Sequence, residues 1–467
     1  MDRIKPKVDF TEGPMFWRIF LFALPIMLTG MLQIFYNMAD HIVVGNFSGD
    51  DLALAAVGST ASFTNLIISL LMGIAAGASV TIAQFYGAKN DGAVSRAVHT
   101  SMTFSAIGGV FVCIFGILIA RPALALIGIN ADILDRAVLY FQIVAIGFPA
   151  LSVYNFGASV FRAIGDSKTP LLILSLSGIV NVLLNLLFVI AFNMTVDGVA
   201  IATVISQYVS AVWIVAALAK RRGECYGFSF SKISIDGRIL LRILRFGIPT
   251  GIQSSLFSLS NVVITGAVNT FPTATITAKT IEGNIDGITY TSMNCFLHAA
   301  MTFTGQNYGA NKVDRVKKTL IYCLIQVAVV GIAVSQLELL FAESLCSMFV
   351  DTSMAGVDVI IKEAVNMMYI IMPLYFLCGF MEVFSGTLRG LGYSVFPMLI
   401  SLGGACLSRI VWVSFIFPLP EFNSVWGLFI IYPISWAATA AVLMVLLVCV
   451  LIRLSKKEKS RDNPLIN

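Results

Sequence analysis

The sequence predicts an all-α membrane protein with twelve transmembrane helices arranged as two parallel six-helix repeats. Three observations predict it: few charged residues, a dozen long apolar runs and an internal duplication. The 467 residues are 58% hydrophobic and 12% charged, and their mean hydropathy is +0.89. Soluble domains carry about 25% charged residues, so this chain has too few to cover a surface that faces water.

The apolar runs are each long enough to cross a bilayer, for which a helix needs about 20 residues. Six fall in each half, so both halves begin and end on the same side of the membrane. The halves are then parallel repeats related by a pseudo-two-fold axis along the membrane normal. The predicted spans are 16–44, 52–83, 95–120, 137–160, 169–192, 197–219, 241–269, 277–304, 317–341, 361–387, 394–417 and 425–453.

The duplication is visible in four pairs of matched segments, which are offset by 222 to 227 residues. A duplicated membrane domain commonly encloses a site between its halves, as in many secondary transporters. The pairs are 83–88 (AQFYGA) with 305–310 (GQNYGA), 161–165 (FRAIG, followed by Pro170) with 388–392 (LRGLG, followed by Pro397), 24–25 (LP) with 248–249 (IP), and 148–149 (FP) with 372–373 (MP).

The placement of lysine and arginine predicts the orientation, because cytoplasmic segments of membrane proteins are enriched in both. With the N-terminus inside, 25 of the 30 fall on the cytoplasmic side and four on the other. We therefore expect a multi-pass protein of the cytoplasmic membrane with both termini in the cytoplasm. The expected domains are an N-terminal six-helix bundle (1–222), a cytoplasmic linker (223–240), a C-terminal six-helix bundle (241–453) and a cytoplasmic tail (454–467).

The residue pattern argues against an enzyme or an ATP-driven pump. No extramembrane segment is long enough to form a nucleotide-binding domain, and no P-loop sequence occurs. The eight cysteines stand singly without a C-x-x-C pair, which argues against metal or disulfide chemistry. The net charge of +5 indicates contact with anionic membrane lipid and not with nucleic acid. Transport must then be driven by an ion gradient or by the solute's own gradient, without a cofactor.

The first predicted span carries a polar stripe about 100° wide, which cannot face lipid. A charged side chain near the bilayer centre costs at least about 2.5–3.5 kcal/mol, so the single acid of this stripe requires an explanation. That acid is either a proton- or sodium-binding group in a water-filled chamber or a hydrogen-bonded tether between helices. The stripe consists of Thr29, Gln33, Tyr36, Asn37 and Asp40.

Two further spans of the first half present polar faces that complete the predicted chamber. Asp40 is its only carboxylate, and the surrounding amide and hydroxyl oxygens are groups that help to hold a sodium ion. The faces consist of Ser177, Gly178, Asn181 and Asn185 in the span 169–192, and of Thr203, Ser206, Gln207 and Ser210 in the span 197–219.

The second half carries a different set of polar residues. Asn261 occupies the repeat position of Asp40, so the acid of the first half is an amide in the second. Glu282 and Asp286 lie one helical turn apart, with Met293 on the same face. These acids either face substrate or are structural, and Glu282 has Lys279 three residues before it as a candidate partner.

Two more charged residues fall within predicted spans of the second half. Glu382 lies on the polar face of the span 361–387, and Arg409 is the one cation well inside a span. A buried arginine needs an acid, and Glu382 is the obvious candidate. A structural ion pair and a substrate site are equally compatible with this pattern.

These motifs resemble the MATE family of multidrug and toxic-compound extrusion transporters over essentially the whole chain. The resemblance rests on 84–88 (QFYGA) and 161–170 (FRAIGDSKTP), and on their second-half counterparts 306–310 (QNYGA) and 388–392 (LRGLG). The bacterial MepA-like branch is the most similar, because of 279–282 (KTIE), 381–382 (ME) and 408–409 (SR).

The resemblance implies two six-helix bundles around a V-shaped cleft and a cation-coupling group formed by Asp40, Asn181, Asn185 and Thr203. Many relatives have aspartate where this chain has Asn185, which weakens a sodium site. Protonation of Asp40 is therefore the simpler coupling event. The alternative is a sodium ion bound by Asp40, Asn181 and Thr203.

The expected function is an antiporter that exports organic cations and other drugs by alternating access, in exchange for H⁺ or Na⁺. We expect a monomer in the membrane lipid of a bacterium. The alternative is a flippase for a lipid-linked oligosaccharide or related amphiphile, although its phosphates would require several cationic side chains. The expected substrate cavity is lined by Gln33, Tyr36, Asn37, Gln207, Asn261, Glu282, Asp286, Met293, Glu382 and Arg409.

Overall fold

The computed structural model describes residues 9–47, 51–126, 129, 131–192, 194, 196–350 and 356–461. Within these ranges it describes every side chain except those of 37–47, 51–57, 59, 62, 131, 196 and 459–461. This part of the chain is almost entirely helical and contains no β-strand. The predicted all-α fold is confirmed.

Seventeen α-helices follow one another along the described ranges. Short π-helical turns occupy Leu187–Ala191, Leu402–Leu407 and Trp412–Ile416, and 3₁₀ turns occupy Phe230–Lys232 and Met372–Leu374. The α-helices are α1 (Phe16–Phe47), α2 (Asp51–Gly87), α3 (Asp91–Leu126), α4 (Ala131–Ile146), α5 (Phe148–Ala163), α6 (Lys168–Leu186), α7 (Val196–Ala219), α8 (Gly237–Val268), α9 (Thr273–Gly309), α10 (Val313–Leu340), α11 (Ala342–Ser347), α12 (Val357–Ile371), α13 (Phe376–Gly390), α14 (Val395–Ser401), α15 (Ser408–Val411), α16 (Val425–Phe429) and α17 (Ile431–Arg461).

Membrane-spanning helices account for most of this list. Among the described residues, nine helices are long and apolar enough to cross a membrane, and the number rises to eleven if each of two bent pairs counts as one span. Helix α9 is not among them although it has 37 residues, because it carries Lys279, Glu282 and Asp286 within a run rich in threonine and asparagine. The eighth predicted span, 277–304, thus lies in a helix of sufficient length with an unusually polar sequence.

Prolines mark the bends that divide two of the predicted spans. Helices α4 and α5 meet at 43° next to Pro149, and α12 and α13 meet at 47° next to Pro373. In both places the proline stands at the first turn of a helical segment, where its missing N–H has no carbonyl to bond. Pro25 and Pro249 instead lie inside the continuous helices α1 and α8.

The duplicated motifs adopt matching backbone conformations. Lys89 and Asn311, which follow α2 and α9, have φ angles of 54° and 57°, a left-handed conformation that is uncommon outside glycine. Gly165 and Gly392, which follow α5 and α13, both have φ of 93°, which favours glycine. The repeat seen in the sequence is therefore also a repeat of turn geometry.

The chain divides into two compact units, and the division falls inside two helices. Unit 1 includes Leu28–Ser255, whereas unit 2 includes Phe10–Met27 and the chain from Leu256 onward. The beginning of α1 therefore packs within unit 2, and the beginning of α8 packs within unit 1. The sequence predicted bundles that end at 222 and begin at 241, because it follows the order of the helices along the chain. It does not show which neighbours one half of a helix contacts.

In unit 1 the beginning of α8 packs backbone to backbone on α2. A Cβ on Gly73 or Gly77 would overlap the backbone of Gly251 or Gly247, and a Cβ on Gly247 would lie 2.6 Å from Ile74 Cα. Each helix thus contributes a G-x-x-x-G pair, which is the spacing that lets membrane helices approach closely.

In unit 2 the segment before α1 binds the repeated motif at the end of α9. The backbone N–H of Phe10 donates to Gln306 Oε1 at 3.4 Å, and the Phe10 carbonyl accepts from Arg315 Nη2 at 3.0 Å. The Phe10 ring stacks on Phe303 with centroids 3.8 Å apart. In unit 1, Gln84 is the counterpart of Gln306, and its Oε1 accepts from Arg242 Nη2 at 2.5 Å.

Candidate functional site

Unit 1 contains a buried chain of neutral polar side chains between α6 and α7. Asn185 donates its Nδ2 to Asn181 Oδ1, and Asn181 donates its Nδ2 to Thr203 Oγ1, both at 3.3 Å. The two asparagines stand four residues apart on one face of α6, and they are 5% (Asn181) and 0% (Asn185) exposed. The structure thus brings together three of the four residues that the family resemblance implies for cation coupling.

Helix α1 contacts α6 one turn away from this chain. Tyr36 donates its hydroxyl to the Ser175 carbonyl at 3.1 Å. Its ring lies directly against Gly178, where any Cβ would overlap it. Glycine in the polar face of α6 is therefore required by the approach of the tyrosine, a reason that sequence reasoning does not supply.

The other residues of the α1 stripe are placed differently. Gln33 is exposed, and Thr29 is partly buried. Asn37 and Asp40 lie outside the described side chains, in the later part of α1. Asp40 follows Tyr36 by one helical turn along the helix.

Gln207 is on the same helix as Thr203 but lies at the bend between α4 and α5. Its Oε1 is buried without a hydrogen-bond partner and sits where a Cβ on Gly147 would be. The neighbouring Tyr208 donates its hydroxyl to the Ile146 carbonyl at 3.1 Å. Helix α7 therefore contributes Thr203 to the neutral chain and contacts the bend between α4 and α5 through Gln207.

Unit 2 contains a buried cluster of charged side chains on α9. Lys279 Nζ lies 2.5 Å from Glu282 Oε2, and the Glu282 side chain is 0% exposed. The ammonium group also lies 5.3 Å from the centre of the Phe429 ring. The candidate partnership that the sequence offered for Glu282 is present, with Glu282 fully buried and Lys279 19% exposed.

Further along the same face of α9, two acids are bonded to hydroxyl groups. Asp286 is hydrogen-bonded to the hydroxyl of Tyr375, at the beginning of α13. Thr289 donates its hydroxyl to Glu338 Oε2, near the end of α10. Tyr375 and Glu338 are 2% and 7% exposed, so both bonds are shielded from water.

Arg409 and Glu382 do not pair with each other. Arg409 donates Nη1 to Asn261 Oδ1 at 3.1 Å, and its guanidinium lies 4.3 Å from the centre of the Tyr432 ring. Glu382 interacts electrostatically with Arg389, which is two turns further along α13. The pairing inferred from the sequence was wrong because it could not give the directions in which α13 and α15 present these side chains.

Met293 serves the packing of unit 2. It is 0% exposed, and its Sδ would lie 2.9 Å from a Cβ on Gly331 and 3.1 Å from one on Gly379. The two glycines make room for the thioether between α9, α10 and α13. Met367, Met368 and Met372 are likewise 0% exposed.

Glu338 was missed by sequence reasoning, although a signal was present. It falls within the predicted span 317–341, and an acid inside a span calls for an explanation by the same rule that applies to Asp40. Its position near the end of an apolar run made it resemble an interfacial residue. Only the fold shows that it reaches Thr289 on α9.

The described residues contain no group of three or more His, Cys, Asp or Glu side chains arranged to hold a metal ion. The amide chain of unit 1 offers oxygen atoms but no charge of its own. The cluster of unit 2 offers carboxylates that are already bonded to a lysine and two hydroxyls. The two units thus present different kinds of buried polar groups.

Comparisons with known proteins point to one family. The sequence model of the MatE family matches residues 25–187 and 249–413, one stretch in each repeat. The Bacillus subtilis (strain 168) protein described as probable multidrug resistance protein YoeA is 27% identical over 399 residues, or 83% of this chain and 84% of that protein. Multidrug export protein MepA of Staphylococcus aureus (strain MRSA252) is 24% identical over 263 residues, or 55% and 56%.

The fold is also similar to solved structures. A crystal structure of MATE in complex with MaL6 aligns with a TM-score of 0.90 at 22% sequence identity. The alignment covers 97% of this chain and 100% of that chain. At this level of identity, the likeness establishes the fold.

Proposed function

Because the chain belongs to the MatE family, whose members are transporters and not enzymes, we propose that it exports organic cations and amphiphilic drugs in exchange for H⁺ or Na⁺. It is a multi-pass protein of the bacterial cytoplasmic membrane. The relatives named for multidrug resistance and export support the choice of substrate class. The proposed orientation has both termini in the cytoplasm, and the proposed working form is a monomer in contact with membrane lipid.

The observation that carries the proposal is the neutral polar chain in the interior of unit 1. Asn185, Asn181 and Thr203 are joined by hydrogen bonds, and the two asparagines are almost completely buried. Polar side chains are costly to bury within a membrane, so a buried chain of them indicates a structural or binding role. None of its three members can change charge, so the proposal assigns the exchange of a proton or sodium ion to Asp40.

The proposed cycle links the charge of Asp40 to the direction of transport. In the outward-open state Asp40 takes up an external cation, which favours release of a cationic substrate. In the inward-open state it gives the cation up, and the negative charge then attracts the next substrate. One charge crossing 100 mV supplies about 2.3 kcal/mol, and one pH unit supplies about 1.4 kcal/mol. Together these allow roughly a few-hundred-fold accumulation.

The remaining substrate-cavity residues form the less specific part of the proposal. Gln33 and Tyr36 of α1 and Asn261 of α8 are accessible or partly accessible, as a substrate contact requires. Glu282, Met293 and Arg409 are buried and engaged with other side chains, so we assign them to the architecture of unit 2. A lipid-linked sugar would need free cationic groups for its phosphates, and Arg409 is already bonded to Asn261 and stacked on Tyr432.

The coupling proposal is tested by transport in inverted vesicles with proton and sodium gradients imposed separately. We expect Asp40→Asn to abolish drug accumulation while the protein stays in the membrane at its usual level. Asp132→Asn is the matched control, because Asp132 is an exposed acid of the same half of the chain, and it should transport normally. Unchanged transport by Asp40→Asn would remove Asp40 from the mechanism.

A second substitution tests the role of the amide chain. Asn185→Asp places a second carboxylate beside Asn181, and oxygen ligands of higher charge bind a hard cation more tightly. We expect transport by this variant to gain a dependence on the sodium gradient. Asn284→Asp, at an exposed position of α9, provides the control for an added acid. An equal response of both variants would contradict a cation site at Asn185.

A further inference from the structure

A second set of ionisable groups lies buried in unit 2, separate from the amide chain of unit 1. Three carboxylates (Glu282, Asp286 and Glu338) interact electrostatically with one another, and Lys279 and Arg409 are the cations that act on them. If all five are ionised, the cluster carries a net charge of −1. An uncompensated charge inside a protein costs several kcal/mol, so the cluster has a strong physical preference for one more positive charge.

The contacts show where that charge is missing. Lys279 lies 2.5 Å from Glu282, and Arg409 is bonded to Asn261 and stacked on Tyr432. Asp286 and Glu338 are bonded instead to hydroxyl groups, which carry no charge. Of the two, Glu338 has an oxygen, Oε1, that is buried and accepts no hydrogen bond.

We propose that Asp286 and Glu338 form a second cation-coupling site, which binds one proton. A proton requires only one carboxylate oxygen, and Glu338 Oε1 is available for it. A metal ion would require several converging ligands, and the described carboxylates, thiols and imidazoles do not form such a group. In the reaction, hydronium donates the proton: one of its O–H bonds breaks, an O–H bond forms on the carboxylate, and a water molecule is left. The site goes beyond the coupling assigned to Asp40 and does not depend on it.

The surrounding groups set the charge that the pair experiences. From α9 the pair faces Lys279 and Glu282, and from α15 it faces Arg409. Among the described residues, the other titratable neighbours carry hydroxyls and thiols. Tyr375, Tyr432 and Cys378 interact with Asp286, and Cys346 interacts with Glu282.

The position of the pair connects its protonation to the bend between α12 and α13. Tyr375 follows the 3₁₀ turn Met372–Leu374 and bonds Asp286. Thr289, which bonds Glu338, also contacts Met372 Sδ at 3.7 Å. A change of charge at the pair therefore alters hydrogen bonds on both sides of the bend, which is the means by which proton binding would bias its conformation.

Infrared difference spectroscopy of the full chain reconstituted in lipid tests the proposal, because a protonated carboxyl group has its own C=O stretching band. A pH titration of the wild type should show such a band, and Glu338→Gln or Asp286→Asn should reduce it by about one carboxyl group per chain. Glu382→Gln is the matched control, because Glu382 is a buried acid of the same unit beside Arg389. This variant should keep the part of the C=O band that Glu338→Gln or Asp286→Asn removes.

The C=O band assigned to Asp286 and Glu338 should also persist in Asp40→Asn. A failure of the proposed transport cycle is therefore distinguishable from a failure of this site. The proposal is overturned if both Glu338→Gln and Asp286→Asn leave the band unchanged. It is also overturned if, at fixed pH, replacing choline by Na⁺ alters the carboxylate bands of these two residues without any protonated form appearing, since the ligand would then be sodium.

Trp436 provides a second readout that requires no substitution in the cluster. Its ring lies 4.8 Å from that of Tyr375 and 5.9 Å from that of Tyr432, and it is 4% exposed. Trp436→Phe should remove a pH-dependent part of the fluorescence emission of the wild-type protein. If the difference between the two proteins does not change with pH, the proton does not bind at Asp286 and Glu338.

Discussion

The two units are built from the same duplicated segment, yet they bury opposite kinds of polar chemistry. Unit 1 buries a neutral chain of two asparagines and a threonine, whereas unit 2 groups five charged side chains around α9, namely Lys279, Glu282, Asp286, Glu338 and Arg409. In the register of the matched motifs, each of these five residues has a neutral counterpart. The counterparts are Val57 for Lys279, Thr60 for Glu282, Thr64 for Asp286, Gly116 for Glu338 and Val182 for Arg409.

This difference shows which features a duplication conserves and which it leaves free. The left-handed turns at Lys89 and Asn311, and the bends of 43° and 47°, are backbone features that both units need in order to fold alike. A buried charge, by contrast, is acceptable wherever its own neighbours compensate it. The two units could therefore acquire different buried polar groups on a common frame.

The largest stability effect that tests this contrast is expected for Glu282→Gln. The substitution leaves the largely buried Lys279 beside a neutral group, and breaking a buried pair in this way costs about 3–5 kcal/mol. The double variant Lys279→Met with Glu282→Met should recover most of this loss, because it removes both charges. Thermal unfolding in detergent measures both, and equal destabilisation of the single and double variants would contradict a compensated pair.

An intermediate effect is expected where the helices of unit 1 touch. Gly73→Ala forces α2 away from Gly251, and overpacking of this kind costs about 1–3 kcal/mol. Gly58→Ala on the same helix is the control, because nothing lies within 4 Å of a Cβ there. The melting temperature of the first variant should fall by several degrees while that of the control stays level. Two equal melting temperatures would mean that the close approach contributes little.

The smallest effect is expected at the exposed pair Arg121–Asp135 of unit 1. Its atoms are 2.8 Å apart, but the side chains are 66% and 79% exposed, so water and salt screen the attraction. Arg121→Ala should change the free energy of unfolding by about 0–1 kcal/mol, and less at high salt. A loss as large as that of Glu282→Gln would show that burial is not what separates the two pairs.

Several features of the fold were predictable because they depend on local composition and periodicity. The internal repeat, the membrane helices and the family follow from residues such as Gln84, Gln306, Arg162 and Arg389 at fixed spacing, and the match to the MatE family confirms them. The approach of α1 to α6 was not predictable, since the polar stripe does not show that Gly178 makes room for Tyr36.

The charged residues of unit 2 show the limit of the sequence more sharply. Periodicity placed Glu282 and Asp286 on one face of α9, and the structure has them there. It could not pair Arg409 correctly, because the choice between Asn261 and Glu382 depends on how separate helices are rotated. It also gave no weight to Glu338, whose partner Thr289 is 49 residues away in the chain.

Hydropathy and residue spacing were sufficient to predict the membrane setting, the duplication and the places where polar side chains enter the helices. Those properties depend on hydropathy and spacing, which each segment carries on its own. Only the folded chain shows which polar side chains meet, and that the beginnings of α1 and α8 lie in different units from the rest of each helix. Contacts between distant segments depend on helix rotation and close packing, and these are set by the whole fold and not by any one segment.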